Sequence, residues 1–185
     1  KGFRLWLKKK YKTIDALNEA WGTPFWSQVY NGFDQIRIPN PQRVSAGVNP
    51  HARLDFKRFT ARSIAEVLDY QADVLKKHIR EEQFITTNYA YYKFLPEVNP
   101  FLNKEDLDFA SHTMYLLSTH LNYPKGELAH RLGSGMELSF SNELAKSVNG
   151  YTGIMELQPG QINWGKWNSQ PLPGAVRMWI WHTFG

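Results

Sequence analysis

The sequence predicts an α/β fold made of parallel βα units, and three observations carry that prediction. Short β-rich runs alternate with segments of helical period. The runs end in long loops of mixed polar and aromatic residues. One run, Gly153-Ile154-Met155-Glu156-Leu157-Gln158-Pro159-Gly160-Gln161-Ile162-Asn163-Trp164, ends in a single carboxylate, a Pro-Gly turn and a tryptophan. A carboxylate at the tip of a buried strand, beside an aromatic platform, is suited to sugar cleavage.

Residues 3–12 read as a helix with Phe3, Leu5, Trp6 and Leu7 among basic positions. Thr13 is placed to cap a second helix, with Ile14, Leu17, Ala20 and Trp21 on one face and Gly22 at its end. Residues 23–53 contain four prolines and little apolar periodicity. Phe25, Trp26, Tyr30, Phe33 and Ile36 call for burial, which makes the segment an ordered excursion; loops this long are usually functional. Residues 55–82 give the clearest helix, capped by Asp55, with Phe56, Phe59, Ile64, Val67, Leu68, Val74, Leu75 and Ile79 at the 3.6 period.

Residues 83–88 and 107–111 read as strands, and 112–138 fit neither pattern. Ser141 is placed to cap a helix ending at Asn149-Gly150. Residues 152–156 form a third strand and 175–181 a fourth. Short parallel strands followed by long loops fit a (β/α)8 barrel, whose sites lie on the loops after the strands. Four strands cannot close such a barrel. The chain also opens mid-helix and stops in a Trp-rich run, so it reads as an incomplete domain.

Composition narrows the function. The 185 residues are 42% hydrophobic, enough for one domain with a sizeable core. The net charge is +5 and the pI about 9.3. The basic residues are scattered, apart from Lys8-Lys9-Lys10 with Arg4 and Lys12, which reads as a solvated helix face and not as a nucleic-acid footprint. Cysteine is absent, which removes disulfides and thiol chemistry. No run reaches the roughly 18 apolar residues of a membrane helix, and Lys1-Gly2-Phe3-Arg4 lacks a signal-peptide core. The six histidines show no metal-ligand spacing, and no cofactor is expected.

Four blocks of residues resemble the glycoside hydrolase family 42 β-galactosidases. They are Phe3-Arg4-Leu5-Trp6-Leu7 with Tyr11; Leu17-Asn18-Glu19-Ala20-Trp21-Gly22-Thr23-Pro24-Phe25-Trp26-Ser27-Gln28; Asn49-Pro50 and Leu54-Asp55-Phe56 leading to Thr86-Thr87-Asn88; and Met155-Glu156 through Trp164 with Pro171 to Trp179. They occur in the expected order over nearly the whole chain.

The resemblance implies a partial (β/α)8 barrel covering about strands five to eight. Residues 1–185 would then be the C-terminal half of a catalytic domain, incomplete at both ends. It also implies a retaining β-galactosidase that hydrolyses terminal β-D-galactosides or oligosaccharides. Glu156 would be the nucleophile, Trp164 the sugar platform, and Tyr115 a neighbour of the nucleophile. Trp26 would lie near the site of an adjoining subunit, as in trimeric members. Where the family pattern has Trp-Asp before that tyrosine and Pro after it, this chain has His112, Thr113 and Leu116; Leu157 replaces a usual Gln.

The family's acid/base glutamate precedes the segment where this chain begins. The chain therefore carries the nucleophile half of the chemistry and is expected to be nearly inactive alone. Retaining hydrolysis uses two carboxyl groups roughly 5 Å apart, one attacking the anomeric carbon and one exchanging protons with the leaving group and water. Asn88, at a strand tip, is a further candidate site-lining residue; Asn88 or Tyr115 would donate hydrogen bonds to the charged nucleophile.

Simpler readings stand beside these. Trp164 and Trp26 also suit packing, Trp179 and Trp181 suit strand packing, and His112 suits either the site or a structural role. The competing functions are a related glycosidase acting on α-L-arabinopyranosides, a non-catalytic carbohydrate-binding relative and a basic nucleic-acid binder. A half-barrel would expose strand edges and apolar surface, so a homo-oligomer, such as a trimer, is expected. The absence of cysteine is compatible with any compartment; a soluble protein is expected, with bacterial cytoplasm and periplasm both open.

Overall fold

The computed structural model describes residues 1–40, 49–90, 98–117, 129–162 and 169–185, and the chain divides into two units, Lys1–Ile64 and Ala65–Gly185. In the first unit, α1 (Gly2–Tyr11) and α2 (Ile14–Trp21) form where the periodicity predicts. The Thr13 hydroxyl accepts from the Ala16 amide at 3.2 Å, and Gly22 ends α2 at φ 61°. Phe3, Leu7, Leu17, Trp21, Ile36 and Ala52 make the core, ringed by Trp6, Tyr11, Tyr30, Phe33, Phe56 and Phe59.

The excursion after α2 is ordered where it is described, with short 3-10 turns at Phe25–Ser27 and Phe33–Gln35. The buried Asn18 side chain clamps it, donating to the Tyr30 carbonyl at 2.7 Å and accepting from the Tyr30 amide at 3.0 Å. Ile36 is buried as expected. Phe25 is not; it is 72% exposed, on a turn held by backbone hydrogen bonds around Pro24.

Helix α3 (Pro50–Leu75) starts and ends earlier than predicted. Asn49 is its cap, accepting from the His51 amide at 2.9 Å and the Ala52 amide at 3.2 Å. Asp55 lies one turn inside and does different work. Its carboxylate, 1% exposed, accepts from Lys10 Nζ at 2.5 Å, Tyr11 Oη at 2.5 Å, Trp21 Nε1 at 3.1 Å and Arg58 at 3.3 Å. The buried stripe of α3 is Ala52, Asp55, Ala61, Ala65 and Ala72, while Val67 and Leu75 are exposed. Phe56 and Phe59 flank this stripe against the first core and Leu68 packs against the core of the second unit.

The second unit holds β1 (Thr86–Tyr89), β2 (Phe109–Met114) and β3 (Thr152–Leu157), paired in that order and all parallel. Helix α4 (Ala129–Leu132) is a single turn. Helix α5 (Gly135–Asn149) connects β2 to β3; it is capped by Ser134 and not by Ser141, with the Glu137 amide on Ser134 Oγ at 3.2 Å, and it ends at Gly150. Ala110 of β2 packs with Ala145 and Val148 of α5.

The predicted fourth strand is instead α6 (Ala175–Phe184). Its bulky and β-branched residues imitate a strand, but Ala175 and Trp179 are buried four apart with Val176 and Thr183 half-buried, which is helical spacing. Trp179 packs with Met114, Leu116 and Leu138 and donates from Nε1 to the Leu132 carbonyl at 3.0 Å. The expectation that it serves packing holds, on a helix; Trp181 is 65% exposed. Among the described residues the sheet therefore has three strands. No helix among them is long and apolar enough to cross a membrane.

Candidate active site

Parallel strands put all their C-terminal ends on one edge, and side chains alternate between the two faces of the sheet. One face turns toward the helices: Ala110 meets Ala145, and Met114 meets Leu138. The other face is polar. Thr86 Oγ1 donates to the Phe109 carbonyl at 2.7 Å and lies 3.1 Å from Ser111 Oγ, which in turn donates to the Thr87 carbonyl at 2.7 Å. These hydroxyls tie β1 to β2 beneath the strand tips.

At the tips, three side chains converge on Glu156. Asn88 Nδ2 at the end of β1 donates to Glu156 Oε2 at 3.1 Å. Thr113 Oγ1 near the end of β2 donates to the same oxygen at 3.2 Å, and Tyr115, just beyond β2, donates its hydroxyl to Oε1. Each carboxylate oxygen thus has a protein donor, while Glu156 itself remains exposed to an approaching molecule. The loops after β2 and β3 are joined as well. Buried Gln158 accepts from the Leu117 amide at 3.0 Å, donates to the Gly160 carbonyl at 2.9 Å, and gives its own amide to the Met114 carbonyl at 2.8 Å.

Of the residues picked from sequence, Glu156, Asn88 and Tyr115 are therefore brought together. Trp164 lies outside the described residues, as does the side chain of Trp26. Thr113 and Gln158 were missed as site residues. Thr113 had one usable signal, its two-residue spacing from Ser111 on a strand that alternates these hydroxyls with Ala110, His112 and Met114. Gln158 had none, since a glutamine two residues after a strand carboxylate has no distinctive pattern.

His112 does not line the site. It is fully buried on the helix face of β2; burial pushes its pKa down to about 4, against a hydrogen bond with Asn142 that raises it. The imidazole is therefore neutral at neutral pH. Among the described residues, no group of three or more His, Asp or Glu side chains gathers to hold a metal ion.

An exposed strand-tip carboxylate, braced by donors from neighbouring parallel strands, defines an α/β protein whose candidate site lies at the C-terminal edge of its sheet. More narrowly, the chain belongs to glycoside hydrolase family 42, because the family model described as beta-galactosidase matches residues 1–185. It is 39% identical to the beta-galactosidase BgaA of a Thermus species over 98% of this chain and 28% of that protein. A beta-galactosidase of Thermus thermophilus is 38% identical over the same shares.

Among solved structures, the beta-galactosidase of the psychrophilic Marinomonas ef1 is similar with a TM-score of 0.87 and 36% identity, over 99% of this chain and 28% of that one. The polyextremophilic enzyme of the Antarctic haloarchaeon Halorubrum lacusprofundi gives 0.86 and 31%, over 99% and 27%. The chain thus spans about 28% of the length of the relatives it matches.

Proposed function

We propose that the complete protein is a retaining β-galactosidase and that Glu156 is its nucleophile. The observation that carries this reading is the carboxylate at the tip of β3, held by Asn88, Thr113 and Tyr115 yet open to solvent. The relatives are named beta-galactosidases. These residues form part of a (β/α)8 catalytic domain. With α6 a helix, the described residues contribute three strands, read as five to seven.

Glu156 attacks the anomeric carbon of a terminal β-galactoside and forms a covalent glycosyl-enzyme. A second carboxyl group, from sequence outside these 185 residues, protonates the departing oxygen and then takes a proton from water. The three donors hold the carboxylate plane so that an oxygen faces the sugar. Trp164 offers its ring to the apolar face of galactose, and Trp26 completes a neighbouring site in a homo-oligomer.

The test uses the complete protein. Glu156→Ala is expected to abolish hydrolysis of a nitrophenyl β-galactoside. Added azide should then restore turnover and give a galactosyl azide of inverted configuration. Near-wild-type hydrolysis by Glu156→Ala, without azide, would sink the assignment.

A further inference from the structure

We propose that Met155 is a positioning residue: it is the inserted residue of a β-bulge that aims Glu156 into the site, and Gly153 and Phe109 form the seat for its side chain. The inference rests on Glu156 being the nucleophile.

The register carries the argument. Gly153 stands opposite Ser111, whose hydroxyl lies on the polar face with Thr86, and Ile154 stands opposite His112 on the helix face. In a regular strand Met155 would follow on the polar face, and Glu156 would turn to the helices. Instead the pairing slips between His112 and Thr113, and Glu156, not Met155, stands opposite Thr113. Met155 is left without a partner, so two consecutive residues share the polar face, as a bulge allows. The slip also returns Leu157 to the helix side, opposite Met114 and against the Leu138 and Trp179 cluster. Without it, a carboxylate would enter that apolar layer and Leu157 would occupy the site, since a one-residue shift exchanges the faces of everything that follows.

The seat fixes where the bulge forms. The Met155 side chain folds back over Gly153: a Cβ at Gly153 would stand 3.1 Å from Met155 Cε and 3.3 Å from Phe109 Cε2. The space a side chain would need at position 153 is thus filled by the methionine tip and an aromatic edge. Met155 is 49% exposed. Its identity matters little to the core, and its replacement should leave the fold intact.

The experiment uses the complete protein. In a crystal structure with Met155 deleted, Glu156 should leave Thr113 and Asn88 and turn toward the helices, and turnover of a nitrophenyl β-galactoside should fall to the level of Glu156→Ala. Met155→Ala, which tests the idea even if the deletion fails to fold, should lower kcat by about tenfold to a hundredfold with KM within about twofold, the cost of a misplaced reacting group. Met155→Leu should recover most of that loss. Gly153→Ala should act through Met155, so the double variant Gly153→Ala/Met155→Ala should be no worse than Met155→Ala.

Either of two results overturns the proposal. One is a deletion structure in which Glu156 stays on Thr113 and Asn88. The other is wild-type kcat in Met155→Ala and Gly153→Ala while Glu156→Ala is inactive. If Glu156→Ala keeps full turnover, the nucleophile reading fails instead. The contact between Glu156 and Thr113 in a Met155→Ala crystal structure then decides the positioning role: its loss supports that role and its retention refutes it.

Discussion

Replacing His112 by glutamine should remove a specific block of pH-dependent stability. The imidazole is fully buried between β2 and α5, and burial lowers its pKa from 6.5 to about 4 despite the hydrogen bond with Asn142. A base with a depressed folded pKa binds its proton more weakly when folded than when unfolded. Its stabilising contribution is therefore complete above about 6.5, is lost as pH falls from 6.5 toward about 4, and changes no further below that. Each pKa unit corresponds to about 1.4 kcal/mol, so the whole window is worth about 3 kcal/mol. Between about pH 7 and about pH 4.5 the wild-type protein should lose about 2 kcal/mol that His112→Gln does not lose. Urea unfolding of the two complete proteins across that range measures the gap directly. A gap that stays constant between those pH values would refute the reasoning, because it would mean that His112 titrates alike in both states.

The other expectations concern the Asp55 hub, the Tyr115 donor and the chain by itself. Asp55→Ala leaves Lys10, Tyr11 and Trp21 without their shared acceptor, and calorimetry or urea unfolding should show a loss of about 3–5 kcal/mol. Burial opposes ionisation of Asp55, but the Lys10, Tyr11 and Trp21 donors outweigh it and hold its pKa below 3.8. Its contribution should therefore be full above about 3.8 and fade as pH falls through the lower folded value, a window below that of His112. Tyr115→Phe removes one hydrogen bond to a charged group, worth about 1.5–3 kcal/mol, so kcat/KM on a nitrophenyl β-galactoside should fall by about tenfold to a hundredfold. An unchanged kcat/KM would remove Tyr115 from the site. If, as proposed, the second carboxyl group lies outside these 185 residues, the polypeptide alone misses a contribution of about 10²–10⁴-fold and should show almost no turnover; robust activity in the same assay would refute that.

The fold was legible wherever one local signal had no competitor. Thr13 and Gly22 bracket α2 because a capping hydroxyl and a left-handed glycine have few other uses at those positions. Strands β1 to β3 lie within a few residues of their predicted places. The failures share a cause: residue type was read where packing decides. The run 175–181 is as aromatic and β-branched as a strand, yet Trp179 fills a pocket made by Met114 and Leu138, and only the four-residue spacing from Ala175 reveals the helix. Asp55 looked like a cap because it opens an apolar series. Its acceptors are used instead by Lys10 and Tyr11, 45 and 44 residues away in sequence, and no local pattern reports contacts at that range.

The site was legible to the same limit. Glu156 could be placed at a strand tip because β-rich residues lead into a Pro-Gly turn, and Asn88 because Thr86 and Thr87 precede it in the same way. Parallel pairing then brings the two carboxyl-terminal ends onto one edge, which is why side chains 68 residues apart in sequence meet at 3.1 Å. Which face Glu156 occupies could not be read. Strict alternation from Gly153 assigns it to the helices, and only the slip opposite His112 and Thr113 reverses the assignment. A single unpaired residue thus separates a carboxylate buried among Leu138 and Trp179 from one that Asn88, Thr113 and Tyr115 hold open to solvent.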